Sequence, residues 1–549
     1  MRSNHVRILL CTLMLAAAAT PAAASVSDHR EFDATLHAPY QAGMSGARTF
    51  TLNFDYPMAA ANQPVSWRIE LVAPSGKVVQ RWRGALRLKG KPETVSLKWG
   101  GRRSSASMPD GVYRVKMRAT SRDEVIEQSW DIALGKPAAA AMPPFGAMAT
   151  GPASTAARGT VQPTAAPAAA SLPYTVYFAN LHSQTNHSDG GGDLASCKGA
   201  QAPQGGAHGP LEAYGYARAR GLDVLMASEH NHMYDGSDGA HPDASVEAAK
   251  ALYQRGLAAA AGFSEANPGF LALYGLEWGV INNGGHMNIL NAPELLAWER
   301  DAKGQLFGDT LTAKGDYAGL YSLMRQRGWI GQFNHPAFSG QFNVNGVALG
   351  YTKDGDEAMA LCEVLNTAAF STNTSESETR RSNYEMACNK ALEAGFHVAF
   401  SSNQDNHCAN WGASYTNRTG VLIPNGTALT QASFIAALKA RRVFATMDKN
   451  SQLVMTANGQ VMGSRFTNSG PLKLLANYAN TEGRSVASVS IIEGVPGRNG
   501  TVSEVAATAE ATITPAAGEH FYYARITQDD GKILWSAPIW VTQQASEKF

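Results

Sequence analysis

Imidazoles and carboxylates recur in six short segments, each placed just after a run of apolar residues. The first is Asn180-Leu181-His182-Ser183-Gln184-Thr185-Asn186-His187-Ser188-Asp189-Gly190, after Thr175-Val176-Tyr177-Phe178. Glu229-His230-Asn231-His232 follows Val224-Leu225-Met226, and Glu277 sits in Tyr274-Gly275-Leu276-Glu277-Trp278. His286 lies in Gly284-Gly285-His286-Met287-Asn288, and His335 in Asn334-His335-Pro336 after Trp329-Ile330-Gly331. The last segment, Gln404-Asp405-Asn406-His407, follows Val398-Ala399-Phe400. One His near a strand end is usually a hydrogen-bonded structural residue. Six such segments sharing the same donor types are not explained by packing. Imidazole with carboxylate suits Zn, Mn or Fe better than Ca or Mg alone. The chemistry this implies is hydrolysis by a metal-activated water, which needs no Ser or Cys nucleophile.

Such segments meet only if the strands before them lie side by side. Residues 173–448 alternate short apolar strands with helical stretches, such as 210–217 and 317–328, which predicts an α/β domain with a mostly parallel sheet. In a barrel of parallel strands the C-terminal strand ends converge on one face, and catalytic groups gather there. The flanks have a different period. From about Thr49 to Trp130, within a domain spanning 25–135, apolar and polar side chains alternate, with turns at Pro74-Ser75-Gly76 and Pro109-Asp110-Gly111, which predicts a small antiparallel β-sandwich. Trp99-Gly100-Gly101 and Pro109-Asp110-Gly111-Val112-Tyr113 resemble the Ig-like sandwich of flagellar hook-capping proteins. In that stretch Val65, Trp67, Ile69 and Leu71 would share one strand face, with Ser66, Arg68 and Glu70 on the other. Residues 136–172 are rich in Ala and Pro, contain no acid, and predict a linker. Residues 449–549 return to a β pattern and predict a second sandwich.

Residues 1–24 have the form of a signal peptide. Arg2 and Arg7 precede the apolar run 8–19, and Ala22-Ala23-Ala24 offers small residues for cleavage. That run is short for a membrane span. A periplasmic or secreted protein with no membrane span after cleavage is expected. Cleavage removes two Arg and no acid, leaving a formal charge of −1. That balance gives no reason to expect nucleic acid or an anionic membrane as partner. Cys197, Cys362, Cys388 and Cys408 would remain, enough for two disulfides with three possible pairings. Their wide spacing speaks against a cysteine zinc site.

The series of segments resembles the polymerase-and-histidinol-phosphatase (PHP) family, closest to its secreted CehA/McbA-type metallohydrolases. The resemblance covers about 173–448, where Arg418-Thr419-Gly420-Val421 and 437–446 also fit, and extends weakly to 522–527 and 535–539. It implies a distorted (β/α)7 barrel and two or three divalent ions (Zn, Mn or Fe). By resemblance, His182, Glu277 and Asp405 hold one metal with Gln184 beside it. Glu277, His286 and His335 hold a second, which makes Glu277 a bridge. Asp189, His230 and His407 hold a third. His407 or His230 would give a proton to the leaving group. The substrate class implied is a phosphoester of a small molecule, glycan or lipid, with phosphodiesters favoured. An amide or carbamate ester is the alternative bond, and a non-catalytic metal- or glycan-binding protein the alternative role.

The family's first motif is His-x-His with an Asp seven residues after the first His. His182 and Asp189 keep that spacing, and Gln184 stands in place of the second His. An amide oxygen is a weaker ligand than imidazole for a borderline metal. Two sites are therefore expected to form well, and the one beside Gln184 to be weak, selective for a harder metal, or empty. His187 is a nearby substitute ligand, and His232 is expected on the substrate side or the surface. A Cys197–Cys408 bridge would pin the 190–210 loop over the metals.

Overall fold

The computed structural model describes residues 32–42, 47–56, 62–100, 108–122, 124–158, 171–197, 205–236, 241, 244–280, 284–337 and 339–545. The expected signal peptide and residues 159–170 of the expected linker lie outside them. The described chain is mixed α/β and strand-rich, with several sheets.

Nine strands carry the segments singled out above, and are numbered here within their own sheet. They are β1 (Tyr174–Asn180), β2 (Val224–His230), β3 (Leu271–Trp278), β4 (Met287–Leu290), β5 (Ile330–Phe333), β6 (Met359–Thr367), β7 (Ala399–Ser402), β8 (Arg418–Pro424) and β9 (Val443–Thr446). The hydrogen-bonded order is β9-β8-β1-β2-β3-β4-β5-β6-β7. The sheet is mixed rather than mostly parallel. β4 runs antiparallel to both β3 and β5, and β8 runs antiparallel to both β1 and β9. The reason at β4 is connection length: the chain from Trp278 to Met287 is too short for a crossover helix, so the strand must double back. Among the described residues β7 has a backbone ladder only with β6. Side chains close the seam on its other side. Thr419 Oγ1 accepts from Ser402 N at 2.9 Å, and Ser402 Oγ donates to Thr446 O at 3.3 Å.

Both faces of this sheet are covered, so its strands read as continuous apolar runs. Val224 and Met226 join one core cluster, while Leu225 and Ala227 join the other. Helices Pro210–Ala219 and Tyr317–Arg327 form where the sequence pattern placed them. Gly328 ends the second with φ 72°, the left-handed conformation that glycine adopts without strain.

The N-terminal region is a two-sheet antiparallel sandwich: Asp33–His37, Ala47–Asp55 and Glu93–Gly100 face Val78–Leu88, Gln63–Val72, Gly111–Ser121 and Glu124–Leu134. Val65, Trp67, Ile69 and Leu71 are buried and Ser66 and Arg68 exposed, as strand alternation requires. Residues 136–158 are ordered, contrary to a linker along the whole of 136–172. Ala149–Thr150 pairs with β1, and Pro152–Arg158 is helical. The Ala/Pro composition conceals anchors supplied from elsewhere. Gln452 exchanges two hydrogen bonds with the Met148 backbone (2.8 and 2.9 Å), and Asp223 accepts from Ser154 N at 3.0 Å.

C-terminal strands build a further pair of sheets, one of which joins the central sheet through β9 and Ile533–Ser536. One buried ionic node ties all three regions together. Arg525 donates to Asp131 of the N-terminal sandwich at 2.6 Å and to Glu385 of the central region at 3.0 Å. Two disulfides form, Cys197–Cys408 and Cys362–Cys388, and the first is the bridge expected over the 190–210 loop. No helix among the described residues is long and apolar enough to cross a membrane.

Candidate metal centre

Along each central strand the residues facing the interior change from apolar to polar. In β2 the inward series is Val224, Met226, Ser228, His230, and in β3 it is Leu271, Leu273, Gly275, Glu277. β5 gives Ile330 then Gln332, and β7 gives Ala399 then Ser401. The apolar ends pack into one core, while the polar ends assemble a buried layer. Ser401 Oγ donates to Gln332 Oε1 (2.8 Å), and Gln332 Nε2 donates to Asn334 Oδ1 (2.9 Å). Asn334 Nδ2 in turn reaches Glu277 Oε1 and Asn288 Oδ1, each at 2.8 Å. This amide and hydroxyl layer is the floor on which the ionisable groups stand.

Glu277 is at their centre. Its carboxylate lies 3.0 Å from His182 Nε2, 3.1 Å from His286 Nδ1, 3.4 Å from His335 Nε2 and 3.6 Å from His230 Nδ1. Gln184 Nε2 donates to Glu277 Oε2 at 2.5 Å. His182 Nε2 is also 3.0 Å from Asp405 Oδ1, and His407 Nε2 is 3.3 Å from Asp189 Oδ1. All nine residues expected at the site are buried, the most exposed being Asp405 at 8% and His335 at 6%.

Three groups place donor atoms within 4.8 Å of one another: His182, His335 and Asp405; His230, Glu277 and His286; Asp189, His230 and His407. The third is the expected set. The other two overlap the expected sets: His335 groups with His182 and Asp405, yet its ring lies 5.4 Å from that of His286 and its Nε2 3.4 Å from Glu277, and His230 is shared between two groups. His335 (φ 27°) and Asp405 (φ 51°) both lie in the left-handed region just past their strands. Such conformations cost about 1–3 kcal/mol each and persist where the surroundings over-determine them.

Glu363 was not anticipated. It lies within β6, and its Oε1 is 3.1 Å from His182 Nδ1 and accepts from Asn403 Nδ2 at 3.0 Å. Its Oε2 accepts from the His335 backbone N–H at 2.8 Å. A carboxylate on the far nitrogen fixes an imidazole's tautomer and orientation for a metal on the near one. The available signal was a lone acid inside the apolar run Met359-Ala360-Leu361-Cys362-Glu363-Val364-Leu365, which is rare without a partner. Glu229 was likewise missed as a support. It accepts from Ser188 Oγ and Thr185 Oγ1 at 2.5 Å each, and burial pushes its carboxyl up to about 7.

His187 is not near the cluster's donor groups; its Nδ1 is 2.6 Å from Tyr274 OH. His232 is fully buried rather than at the surface. The chain leaves β2 in a single 3-10 turn, Asn231–Met233, which sets the His232 ring 5.3 Å from that of His230.

Electrostatics in the metal-free centre follow from packing four carboxylates (Asp189, Glu277, Glu363, Asp405) among imidazoles away from water. Burial opposes a charge on His182, but Asp405, Glu277 and Glu363 outweigh it and hold its pKa well above the usual value. Burial likewise opposes charge on His407, and Asp189 overrides it, holding the pKa up at about 10. Burial favours a neutral Glu277, yet His182, His286 and His230 hold it well below the carboxylate range. The carboxylates thus demand positive charge inside the centre, and protons on the imidazoles provide it. A divalent cation meets the same demand, and the nitrogen and oxygen donors fit Zn, Mn or Fe.

The 190–197 segment is locked beside this centre. Gly192 N donates to His407 O at 3.1 Å, and Cys197–Cys408 closes the loop next to His407. A Cβ on Gly190 would meet the Gln184 carbonyl carbon at 2.3 Å, so only glycine allows this close approach.

No protein-family model and no curated protein matches the sequence. Among solved structures, the CARDB domain of a Pyrococcus furiosus protein in complex with di-metal ions is 11% identical, covering 20% of this chain and 92% of that one, with TM-score 0.16. Beta-glucosidase 3B from Thermotoga neapolitana is 15% identical over 20% of this chain, which spans 16% of the enzyme's length, with TM-score 0.15. A putative beta-galactosidase from Bacteroides fragilis is 10% identical over 94% of this chain and 74% of that one, also with TM-score 0.15. Likenesses at these scores assign neither a fold nor an activity to the chain.

Proposed function

We propose that this chain is an exported metal-dependent hydrolase of phosphoesters, phosphodiesters foremost, on a PHP-type distorted (β/α)7 barrel. The observation that carries the reading is Glu277: one buried carboxylate with four imidazoles 3.0–3.6 Å away. Burying that many ionisable groups is costly unless they are paired or coordinate a cation. The strand-end placement of the ligand residues is what a barrel of this type presents, and the two disulfides suit an oxidising, exported location.

Two or three divalent ions held here would supply a hydroxide near neutral pH and stabilise the charge that develops on the substrate's oxygens. The residues do the rest. Glu277 joins the two donor groups that it touches. Glu363 and Asn334 fix His182, and Asp189 orients His230 and His407. Either of those two imidazoles, when free of metal, hands a proton to the departing oxygen. The amide and hydroxyl floor excludes water from beneath the cluster.

The test is a substrate panel of bis-p-nitrophenyl phosphate, p-nitrophenyl phosphate and a naphthyl carbamate, run with Zn, Mn and Fe beside metal analysis. The expected result is at least one, and on this reading two, transition metals per chain, with fastest turnover on the diester. Glu277→Ala should abolish it. A chain that purifies without metal under gentle conditions overturns the site. Faster turnover of the carbamate moves the bond to the amide class. Full metal loading without turnover on any of the three makes the chain a binding protein.

A further inference from the structure

The near-neutral total charge hides a strongly asymmetric N-terminal sandwich. Residues 63–134 contain fourteen Lys and Arg against seven Asp and Glu. Strand register concentrates the cations on one sheet face. Arg68 of Gln63–Val72 is paired directly with Arg83 of Val78–Leu88 on one side and with Arg118 of Gly111–Ser121 on the other. Directly opposed side chains in antiparallel strands are about 4.5–5.5 Å apart at Cβ, and like charges so placed are destabilising. Two residues along, Glu70 lies between Arg81 and Lys116.

The docked end of this face is neutralised, and the free end is not. Towards Glu124–Leu134, where the sandwich meets the rest of the chain, Arg118 pairs with Glu127 at 2.5 Å and Arg114 with Asp131 at 3.2 Å. Arg81 pairs with Glu70 at 3.0 Å. Arg68, Arg83, Arg87 and Arg122 are exposed and make no ion pair among the described residues. Beside the arginine row the same face carries a shallow groove of about 570 Å³, with Arg87 and Arg122 on its walls and Pro64, Ser66, Ala85 and Thr120 between them. Small side chains thus cut a slot flanked by guanidinium groups.

We propose that this face binds an acidic polysaccharide, with a sugar ring in the groove and carboxylate or phosphate substituents on Arg68, Arg83, Arg87 and Arg122. Charge complementarity favours a polyanion, and guanidinium forks match carboxylate and phosphate bidentately. The remaining features select a glycan among polyanions. No large exposed hydrophobic residue lies on the face to enter a bilayer; those exposed in the described chain are Leu211, Leu311, Val347 and Tyr351. Trp67 and Trp82 belong to the opposite, inner face, so no aromatic platform is offered to stacked bases. The sandwich then holds the hydrolase against an anionic glycan, independently of what the metal centre cleaves.

Co-sedimentation and calorimetry with the full chain test this, using polygalacturonate, neutral dextran, phosphatidylglycerol vesicles and duplex DNA as probes. Expected are binding to polygalacturonate that weakens steeply with salt, none to dextran, and a loss of about tenfold or more in Arg68→Ala/Arg83→Ala. Ser66→Glu, which adds an opposing charge to the groove and removes no arginine, should weaken binding too. Unchanged metal content and melting temperature in both variants show that the fold is intact. The proposal is overturned if polygalacturonate does not bind at low salt, if both variants bind as the parent does, or if vesicles or DNA bind more tightly than polygalacturonate.

Discussion

Glu363→Gln isolates the role of a residue that touches no substrate. Only donors face this carboxylate: His182 Nδ1 at 3.1 Å, Asn403 Nδ2 at 3.0 Å and the His335 N–H at 2.8 Å. A glutamine keeps the shape but has a single acceptor oxygen. With that oxygen towards His182 and Asn403, the new NH2 group meets the His335 N–H. Flipped, it meets the other two donors. Either way a buried donor loses its partner, at a cost of about 1–3 kcal/mol. His182 also loses the negative charge that aligns its ring. At 1.4 kcal/mol per tenfold, metal affinity should fall by roughly 10- to 100-fold, the usual effect of losing such an outer partner.

Competition for Zn against a fluorescent chelator measures that loss, with thermal unfolding of the metal-free forms as a fold control. His397→Ala is the comparison, because His397 pairs with Asp356 away from the centre and its loss should leave affinity unchanged. If Glu363→Gln binds Zn with the parent's affinity and stoichiometry, the reasoning is wrong: His182 would then be held by packing alone, or would not ligate metal.

Arg525→Leu removes the buried cation shared by Asp131 and Glu385, leaving Asp131 only the half-exposed Arg114 as a cation and Glu385 only neutral donors, and should destabilise the fold by about 3–5 kcal/mol in denaturant titration. Burial alone would raise the Asp131 pKa, but Arg525 and Arg114 outweigh it and hold it far below the usual carboxylate value. A depressed folded-state pKa contributes stability that is present above the unfolded value, near 4, and is lost as pH falls through the folded one. The gap between parent and variant should therefore narrow on acidification, and a gap independent of pH would count against the node. Metal should also stabilise the fold: Zn at about 100 times its Kd adds about 2.7 kcal/mol. A melting temperature indifferent to both Zn and chelator would mean that no ligand group is organised for it.

How much of this could be read in the sequence depended on position in the strand. Segments at strand ends were legible because an apolar run that stops at His or Asp leaves a visible edge, as at Met226 to His230 and Phe400 to His407. Glu363 had no such edge. It is the fifth of nine residues in β6, and its role appears only when Asn403 and His335 arrive from other strands. Which strand ends meet was legible, whereas the positive φ values of His335 and Asp405 cannot be read from residue type. The reversal of β4 was recoverable in principle from the short span between Trp278 and Met287. Residues 136–158 were misread because their anchors, Gln452 and Asp223, lie far away in sequence.

Each disulfide has one cysteine next to a residue of the buried ionisable centre. Cys408 follows His407, and Cys362 precedes Glu363. Cys388, the partner of Cys362, lies on helix Glu385–Ala394, whose first residue supplies the carboxylate of the Arg525 node. One cross-link therefore connects the carboxylate behind His182 to the joint among the three regions. Around it sit four carboxylates balanced by imidazolium charge and two residues, His335 and Asp405, whose backbone strain costs about 1–3 kcal/mol each. With sequence separations of 26 and 211 residues, the chain-entropy model gives the bridges about 3.5 and about 5.4 kcal/mol of stabilisation. That is comparable with the backbone strain at His335 and Asp405. The placement of His407 and the 190–197 segment thus rests on covalent closure, and a metal bound there would meet a nearly finished site.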